Sequence, residues 1–482
     1  MTRRPYTPRL YQPLMVEHQV EHERGATWAG MGLGKTLGTL TAMEVRALIA
    51  DPYPALVIAP MRVAQNTWSN EAAKWEHLSS VRVIPAVGDI ETRKAALKRP
   101  GEVYTINYEN LPWLVEHLGE AWRFRTVIAD ESTKIKSLRI SEGKRKDGTT
   151  FTRSGGGSVR ARAIGRIAHT KIKYWQNLTG TPSPNGLIDL WGQQWPIDAG
   201  QRLGRTFEGF TQRWFQKKPG EQRGIEPLPF AQDQIQAALR DVCLTIDAKD
   251  YFDLAEPIVT DVMVYLPARA RALYEDMEKR MFLEIDENEV EAFSAAAKSM
   301  KCLQLANGAI YLDPAVESDE QAGAREWREV HDAKLQALDD IVEEAAGAPV
   351  LVAYHFKSDL IRLQAAFPHG IDISTLRGLQ AAQRGEGRVW FAHPASLGHG
   401  IDGLQDHCNI IAFFGLNWNL ENYLQIIERI GPVRQMQAGL ERPVFIYRIV
   451  AHDTVDELVI ERIASKRNVQ DILLTAMKRR TA

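Results

Sequence analysis

From about Ala26 to Thr181, short apolar runs alternate with longer stretches in which apolar residues recur at helical spacing. Unbroken apolar runs suit strands buried on both faces, and their alternation with helix-length segments predicts parallel sheets with crossover helices. The strand runs are 54–60 (PALVIAP), 102–108 (EVYTINY), 125–130 (RTVIAD) and 174–181 (YWQNLTGT), and the rhythm resumes at 349–356, 388–392, 409–414 and 444–450. The pattern therefore predicts an α/β chain of two lobes, 1–255 and 256–482. Between them, 234–306 is rich in helix formers, with ARARALYEDMEKRMFLEI the clearest run and 258–265 its main strand candidate. Residues 144–162 combine cations with three consecutive glycines and read as a mobile surface loop. No repeat with a fixed period of about 20–50 residues is present, which excludes solenoids and propellers.

Length and composition narrow this picture. A chain of 482 residues, 44% hydrophobic and 25% charged, can bury sizeable cores and is not a disordered or fibrous protein. With 59 Lys and Arg against 61 Asp and Glu, a nucleic-acid partner would have to be held by a local basic surface. Cys243, Cys302 and Cys408 form no CxxC pair, which argues against a disulfide framework or structural zinc and points to a reducing interior. The start, MTRRPYTPRLYQP, has no apolar signal core, and no apolar run approaches the roughly 18 residues of a membrane span. The expectation is a cytoplasmic protein with no membrane partner.

The chemistry begins at AGMGLGKT, 29–36, a GxxxxGK[ST] phosphate loop with Ala in the first place, set between an apolar segment and a helix-forming one. Gly30, Gly32 and Gly34 let backbone N–H groups approach phosphates. Lys35 reaches the β/γ-phosphates, and the Thr36 hydroxyl suits Mg²⁺. A phosphate loop alone serves kinases, GTPases and motors alike. Asp130 and Glu131 follow the apolar run 127–129, and a strand C-terminus is where open α/β sheets present ligand-binding groups. Asp130 would hold Mg²⁺ through water, and Glu131 would orient or deprotonate the attacking water.

With AGMGLGKT and ADESTKIKS in place, the chain resembles the SWI/SNF-type ATPases of helicase superfamily two, in a compact form like those of bacteriophages. Further matches span nearly the whole sequence. PRLYQ resembles the adenine-recognition motif with Gln12 as its glutamine. LVIAPMRVAQNTWSNEAAKW resembles the motif that places a Trp and a Glu before a KW pair. LTGTPSPNGLIDLW resembles the coupling motif, with Thr179 and Thr181 as its hydroxyls. HDAKLQALDDIV, LGHGIDGLQ, FFGLNWNLENYLQIIERI and AHDTVDELVIERIASK follow in the family's order. The resemblance implies two RecA-like P-loop lobes with ATP and Mg²⁺ between them and DNA across both. It also implies translocation driven by lobe closure, with Gly400, Asp402 and Gln425 as further coupling residues. Gln425 and Arg429, at i and i+4, share one helix face, with Arg429 as the arginine donated to the transition state.

The chain also departs from the family. A second arginine is expected three residues after Arg429, where Pro432 stands, and Gly431-Pro432 should end the helix. Arg434 is the nearest substitute. Ser132 and Thr133 replace the residues that usually connect the water site to the LTGTP segment. His18, Glu21 and His22 form HxxEH, a nominal inverted zinc-protease motif, but no third ligand is identifiable and the acidic neighbours suit a solvated helix. Residues 139–166 carry eight Lys or Arg against Glu142 and Asp147, which can neutralise DNA phosphates or can be a solvated charge run. Trp68, Trp75, Trp191 and Trp418 are expected to pack rather than to stack on bases. The expected function is a DNA-stimulated ATPase that translocates on duplex DNA with little base specificity. A strand-separating helicase and an ATP-gated DNA clamp with little turnover are the alternatives.

Overall fold

The computed structural model describes residues 3–30, 32–144, 150–218, 224–251, 254–283, 300–312, 326–394 and 401–465. The chain divides into two compact units, Met1–Asp253 and Leu254–Ser465.

The first unit is built on a seven-stranded sheet. In spatial order its strands are Cys243–Ile246, Arg24–Ala29, Tyr174–Thr179, Thr126–Asp130, Ala55–Ala59, Val103–Asn107 and Val83–Pro85, every neighbouring pair parallel. The central strands are buried at every position, so their sequences are apolar runs without alternation. Both faces need a cover, and successive residues supply two cores. Leu56, Ile58, Val127 and Ala129 enter one core, while Ala55, Val57, Ala59 and Ile128 enter the other with Leu37, Leu40 and Met43 from the helix Lys35–Ala47.

The second unit carries a six-stranded sheet, Ile258–Val264, Phe445–Ala451, Ile410–Phe413, Val350–Ala353, Val389–Ala392 and Ile371–Asp372, again wholly parallel. One continuous core surrounds it. Two RecA-like α/β lobes with parallel sheets, as expected, are what the chain forms.

Of the expected mobile loop at 144–162, residues 145–149 lie outside the described residues and the rest is overturned. Arg139–Lys144 and Thr150–Gly156 pair as an antiparallel hairpin, with Ser141 opposite Arg153 and Lys144 opposite Thr150. The helix Val159–Ile167 follows, N-capped by Ser158, whose side chain accepts from the Ala161 N–H. Charge concealed a helical stripe, for Ala161, Ala163, Ile164 and Ile167 are buried between the arginines. Gly157 has φ +87°, and a Cβ there would stand 1.8 Å from the Ser137 carbonyl oxygen, so only glycine fits the junction. The strands Cys243–Ile246 and Val83–Pro85 also went unanticipated, being four and three residues long.

Candidate active site

The strand order decides which motifs meet. Tyr174–Thr179 lies between Arg24–Ala29 and Thr126–Asp130, with Trp28 in register with Thr179 and Leu178 in register with Asp130. The segments that leave these three strands at their C-terminal ends are the phosphate loop, Asp130-Glu131 and the TGT turn. All three therefore share one sheet edge.

At the phosphate loop, Gly32 and Gly34 have φ +79° and +70°, and Gly34 caps the helix Lys35–Ala47. A Cβ on Gly34 would stand 2.7 Å from Gln12 Nε2, so the Gln12 amide lies against the loop. Gln12 is buried, and its Oε1 accepts from the Arg9 N–H at 2.9 Å. The Lys35 ammonium donates to the carbonyls of Ala29 at 2.7 Å and Gly30 at 3.1 Å, which holds it over the loop. Thr36 stands half-buried in the first turn of the helix.

Asp130 ends its strand and is buried, and the Trp68 indole N–H donates to its Oδ2 at 3.0 Å. The Tyr108 hydroxyl reaches the carbonyl oxygens of Asp130 at 2.9 Å and Glu131 at 3.2 Å. Glu131 sits at φ 62°, ψ 61°, an unusual conformation for a non-glycine residue. The residue is only 2% exposed; its carboxylate accepts from the Thr179 hydroxyl at 3.3 Å, and Thr179 Oγ1 in turn accepts from the Thr181 N–H at 3.1 Å. Ser132 joins the same region. Its hydroxyl donates to Gln193 Oε1 at 2.8 Å, and Gln193 Nε2 donates to the Pro182 carbonyl at 2.7 Å. Ser132 thus reaches the segment after Thr181 through an intervening amide, despite the departure from the family's usual residues.

The donor set fits its expected ligands. The Asp130 carboxylate and Thr36 hydroxyl are hard oxygen donors of the kind magnesium takes, and a glycine loop opening a long helix offers backbone N–H groups to phosphates. The two histidines of HxxEH are otherwise engaged: His18 Nε2 lies 3.1 Å from the Ala26 carbonyl and His22 Nδ1 lies 2.9 Å from that of His18.

In the second unit, Gln425 and Arg429 are both buried on the helix Leu420–Ile430. Gln425 Nε2 donates to Glu421 Oε1 at 3.2 Å, and Arg429 Nη1 donates to the Ile401 carbonyl at 3.4 Å. The helix stops as expected: Gly431 is extended at φ −65°, ψ 175°, and Pro432 opens a separate short helix, Pro432–Gln437. From there Arg434 Nη1 meets Asp402 Oδ1 at 3.2 Å. Asp402 Oδ1 also accepts from the Gly403 N–H and Gln405 Nε2. Asp402 and Arg434 are thereby brought together, beside the Ile401 carbonyl that Arg429 uses. Gly400 lies outside the described residues. Sequence reasoning missed Trp68 and Tyr108 as companions of the acidic pair, although Trp68 lay in a motif it had singled out.

Residues 14–144 match the profile of the SNF2-related domain. Over 481 residues the chain is 52% identical to "Putative protein p41" of Acyrthosiphon pisum secondary endosymbiont phage 1, covering 98% of this chain and 99% of that protein. The chain belongs to the SNF2 family. Among its SNF2 relatives, the "Transcription regulatory protein SNF2" of Saccharomyces cerevisiae is 24% identical over 494 residues, with 95% of this chain and 27% of the yeast protein covered. This chain thus spans about a quarter of the length of that relative, and carries the ATPase core of the SNF2 family. The solved "SWI2/SNF2 ATPase core in complex with dsDNA" from Sulfolobus solfataricus is similar at 19% identity and a TM-score of 0.42, covering 98% of this chain and 93% of that one.

Proposed function

We propose that this SNF2-family chain is a DNA-stimulated ATPase that converts ATP hydrolysis into translocation along duplex DNA. The observation that carries the reading is the shared sheet edge: the phosphate loop with Lys35, the acidic pair, and a Glu131 carboxylate tied to Thr179 and onward to Thr181. Backbone N–H groups of the loop and Lys35 bind the phosphates, Gln12 recognises the base, and Thr36 and Asp130 hold Mg²⁺. The metal, when bound, draws charge from the β- and γ-phosphates. Glu131 orients and deprotonates the attacking water, and its hydrogen bond to Thr179 lets the TGT turn report on that event. Arg429, with Arg434 as the substitute for the arginine missing at Pro432, supplies the second unit's charge to the transition state.

Phosphate-backbone contacts, with little base specificity, suit this reading, because nothing in the chain matches a module that reads base edges. Among the described residues no helix is long and apolar enough to cross a membrane. The phage source of the relative supports a bacterial host cytoplasm as the place of action in this reading. A strand-separating helicase and an ATP-gated DNA clamp with little turnover are the alternative readings. ATP turnover measured with no nucleic acid, single-stranded DNA, duplex DNA and RNA tests the main reading. Selective stimulation by duplex DNA is expected; turnover indifferent to every nucleic acid would sink it. Release of a strand from a forked duplex would favour the strand-separating helicase instead.

A further inference from the structure

The Trp68 side chain is fully buried, yet its indole N–H reaches a carboxylate 62 positions further along the chain. A wide turn delivers it. Residues Val63–Thr67 form a π-helical turn immediately before the helix Trp68–Lys74. Such a turn holds one residue more than an α-helical one, so it rotates everything after it, and these rare turns are frequent at functional sites. It is anchored, for the Thr105 hydroxyl donates to the Ala64 carbonyl. The indole ring packs in the core with Leu37 and Leu40 of the helix that follows the phosphate loop. Its position is therefore fixed by the same packing that fixes Lys35 and Thr36.

We propose that Trp68 is a positioning residue for the magnesium site, its indole N–H holding the Asp130 carboxylate in the orientation that the metal requires. The inference rests on the reading of Asp130 as the carboxylate that holds magnesium through water, and adds the group that orients it. A carboxylate at a strand end can rotate about its Cα–Cβ and Cβ–Cγ bonds. A hydrogen bond from a rigid, fully packed ring removes that freedom, as outer-shell partners of metal ligands do elsewhere. The ring contributes packing as well, so the two roles have to be separated.

The test is the Mg²⁺ concentration needed for half-maximal binding of a non-hydrolysable ATP analogue, read by fluorescence on the full chain. It is compared for the unaltered protein, Trp68→Phe, and a variant with benzothienylalanine at position 68, which keeps the bicyclic shape and lacks only the N–H. Both replacements are expected to raise the half-saturating Mg²⁺ about tenfold, in line with the loss of an outer-shell partner, while analogue binding in EDTA stays unchanged. In an Asp130→Ala background the same replacements should shift nothing further. A benzothienylalanine variant that titrates like the unaltered protein would overturn the inference alone. Absence of magnesium-dependent analogue binding in the unaltered protein would overturn the ATPase reading with it.

Discussion

Lys334 Nζ stands 2.6 Å from Asp456 Oδ2 with both side chains fully buried in the second unit. Lys334 also donates to Asn307 Oδ1 at 2.9 Å, Asn307 Nδ2 donates to Asp359 Oδ2 at 3.0 Å, and that oxygen takes the Phe356 N–H at 2.9 Å. The chain of contacts clasps the helix Ala333–Glu344 to the helix Lys357–Ala366 and to the helical segment 455–465 that follows the strand Phe445–Ala451. Both HDAKL and TVDE, read from the sequence as ordered motifs, contribute one end of it.

Removing one partner leaves the other charge buried and uncompensated, at a cost of about 3–5 kcal/mol. Lys334→Met should lower stability by that amount in denaturant titrations. Lys334→Met combined with Asp456→Leu should recover much of it, because a matched apolar pair has no charge to desolvate. A Lys334→Met protein as stable as the unaltered chain would deny the clasp its role.

Acid stability should split between Asp359, a link of this clasp, and its neighbour His355. Burial pushes the Asp359 carboxyl up to about 6, so between about pH 4, the unfolded carboxyl's range, and 6 the folded chain binds the extra proton. That group therefore adds stability as pH falls through the window and loses it as pH rises through about 6. His355 has the opposite sign. Burial, reinforced by charge on His393, holds it down at about 4, so its contribution is full above about pH 6.5 and lost as pH falls through 4. Melting temperatures from pH 7 to 4 should fall more steeply in Asp359→Asn and less steeply in His355→Gln. Identical slopes in both variants would contradict these assignments.

At the candidate site, Lys35→Ala should weaken nucleotide binding. Glu131→Gln should keep magnesium-nucleotide binding and lose about 10²–10⁴ in turnover, the usual share of a general base. Thr179→Val removes one hydrogen bond to that carboxylate, worth about 1–1.5 kcal/mol, so roughly tenfold in rate with binding unchanged is expected. Steady-state turnover beside equilibrium binding of a labelled nucleotide checks all three. Glu131→Gln at the unaltered rate would remove Glu131 from the chemistry.

The basic region calls for a milder change than removal of residues 144–162. That deletion would take away Gly157, the Ser158 cap and the buried Ala161, and with them part of the first unit's core. Replacing Lys144, Arg145 and Lys146 with serine leaves those elements intact. If each cation releases a counterion from DNA, the slope of log affinity against log salt should flatten by up to about 2.7. An unchanged slope identifies a solvated charge run.

The buried strands were legible because a strand covered on both faces is written as an apolar run, and 54–60, 125–130 and 174–181 have no other reading at that length. Cys243–Ile246 was not, being four residues beside a helix-rich stretch, where tertiary pairing with Arg24–Ala29 decides. The hairpin and the helix Val159–Ile167 were hidden by composition, since cations and glycines dominate a segment whose apolar stripe is narrow. Lys35, Asp130 and Glu131 could be named from motif chemistry. The contacts of Trp68 with Asp130 and of Ser132 with Gln193 could not, because a hydrogen bond across 60 residues leaves no local pattern.

The two arginines of the second unit can be told apart by size of effect. Arg429 is buried, and its Ala variant should lose about 10³ or more in DNA-stimulated turnover while still binding ATP, the scale of a transition-state arginine. Arg434 is paired with Asp402, whose side chain is 62% exposed, and an ion pair so open to solvent is worth about 0–1 kcal/mol. Breaking it can change a rate by no more than roughly fivefold, and Arg434 can leave it for a phosphate at little cost. Arg434→Ala should therefore lose well over fivefold, while Asp402→Asn, which frees the arginine without removing it, should stay within that limit. Equal losses in both variants would make Arg434 a strut for the Asp402 turn and leave Arg429 as the single finger. Normal stimulated turnover in Arg429→Ala would remove the helix Leu420–Ile430 from the ATP chemistry altogether.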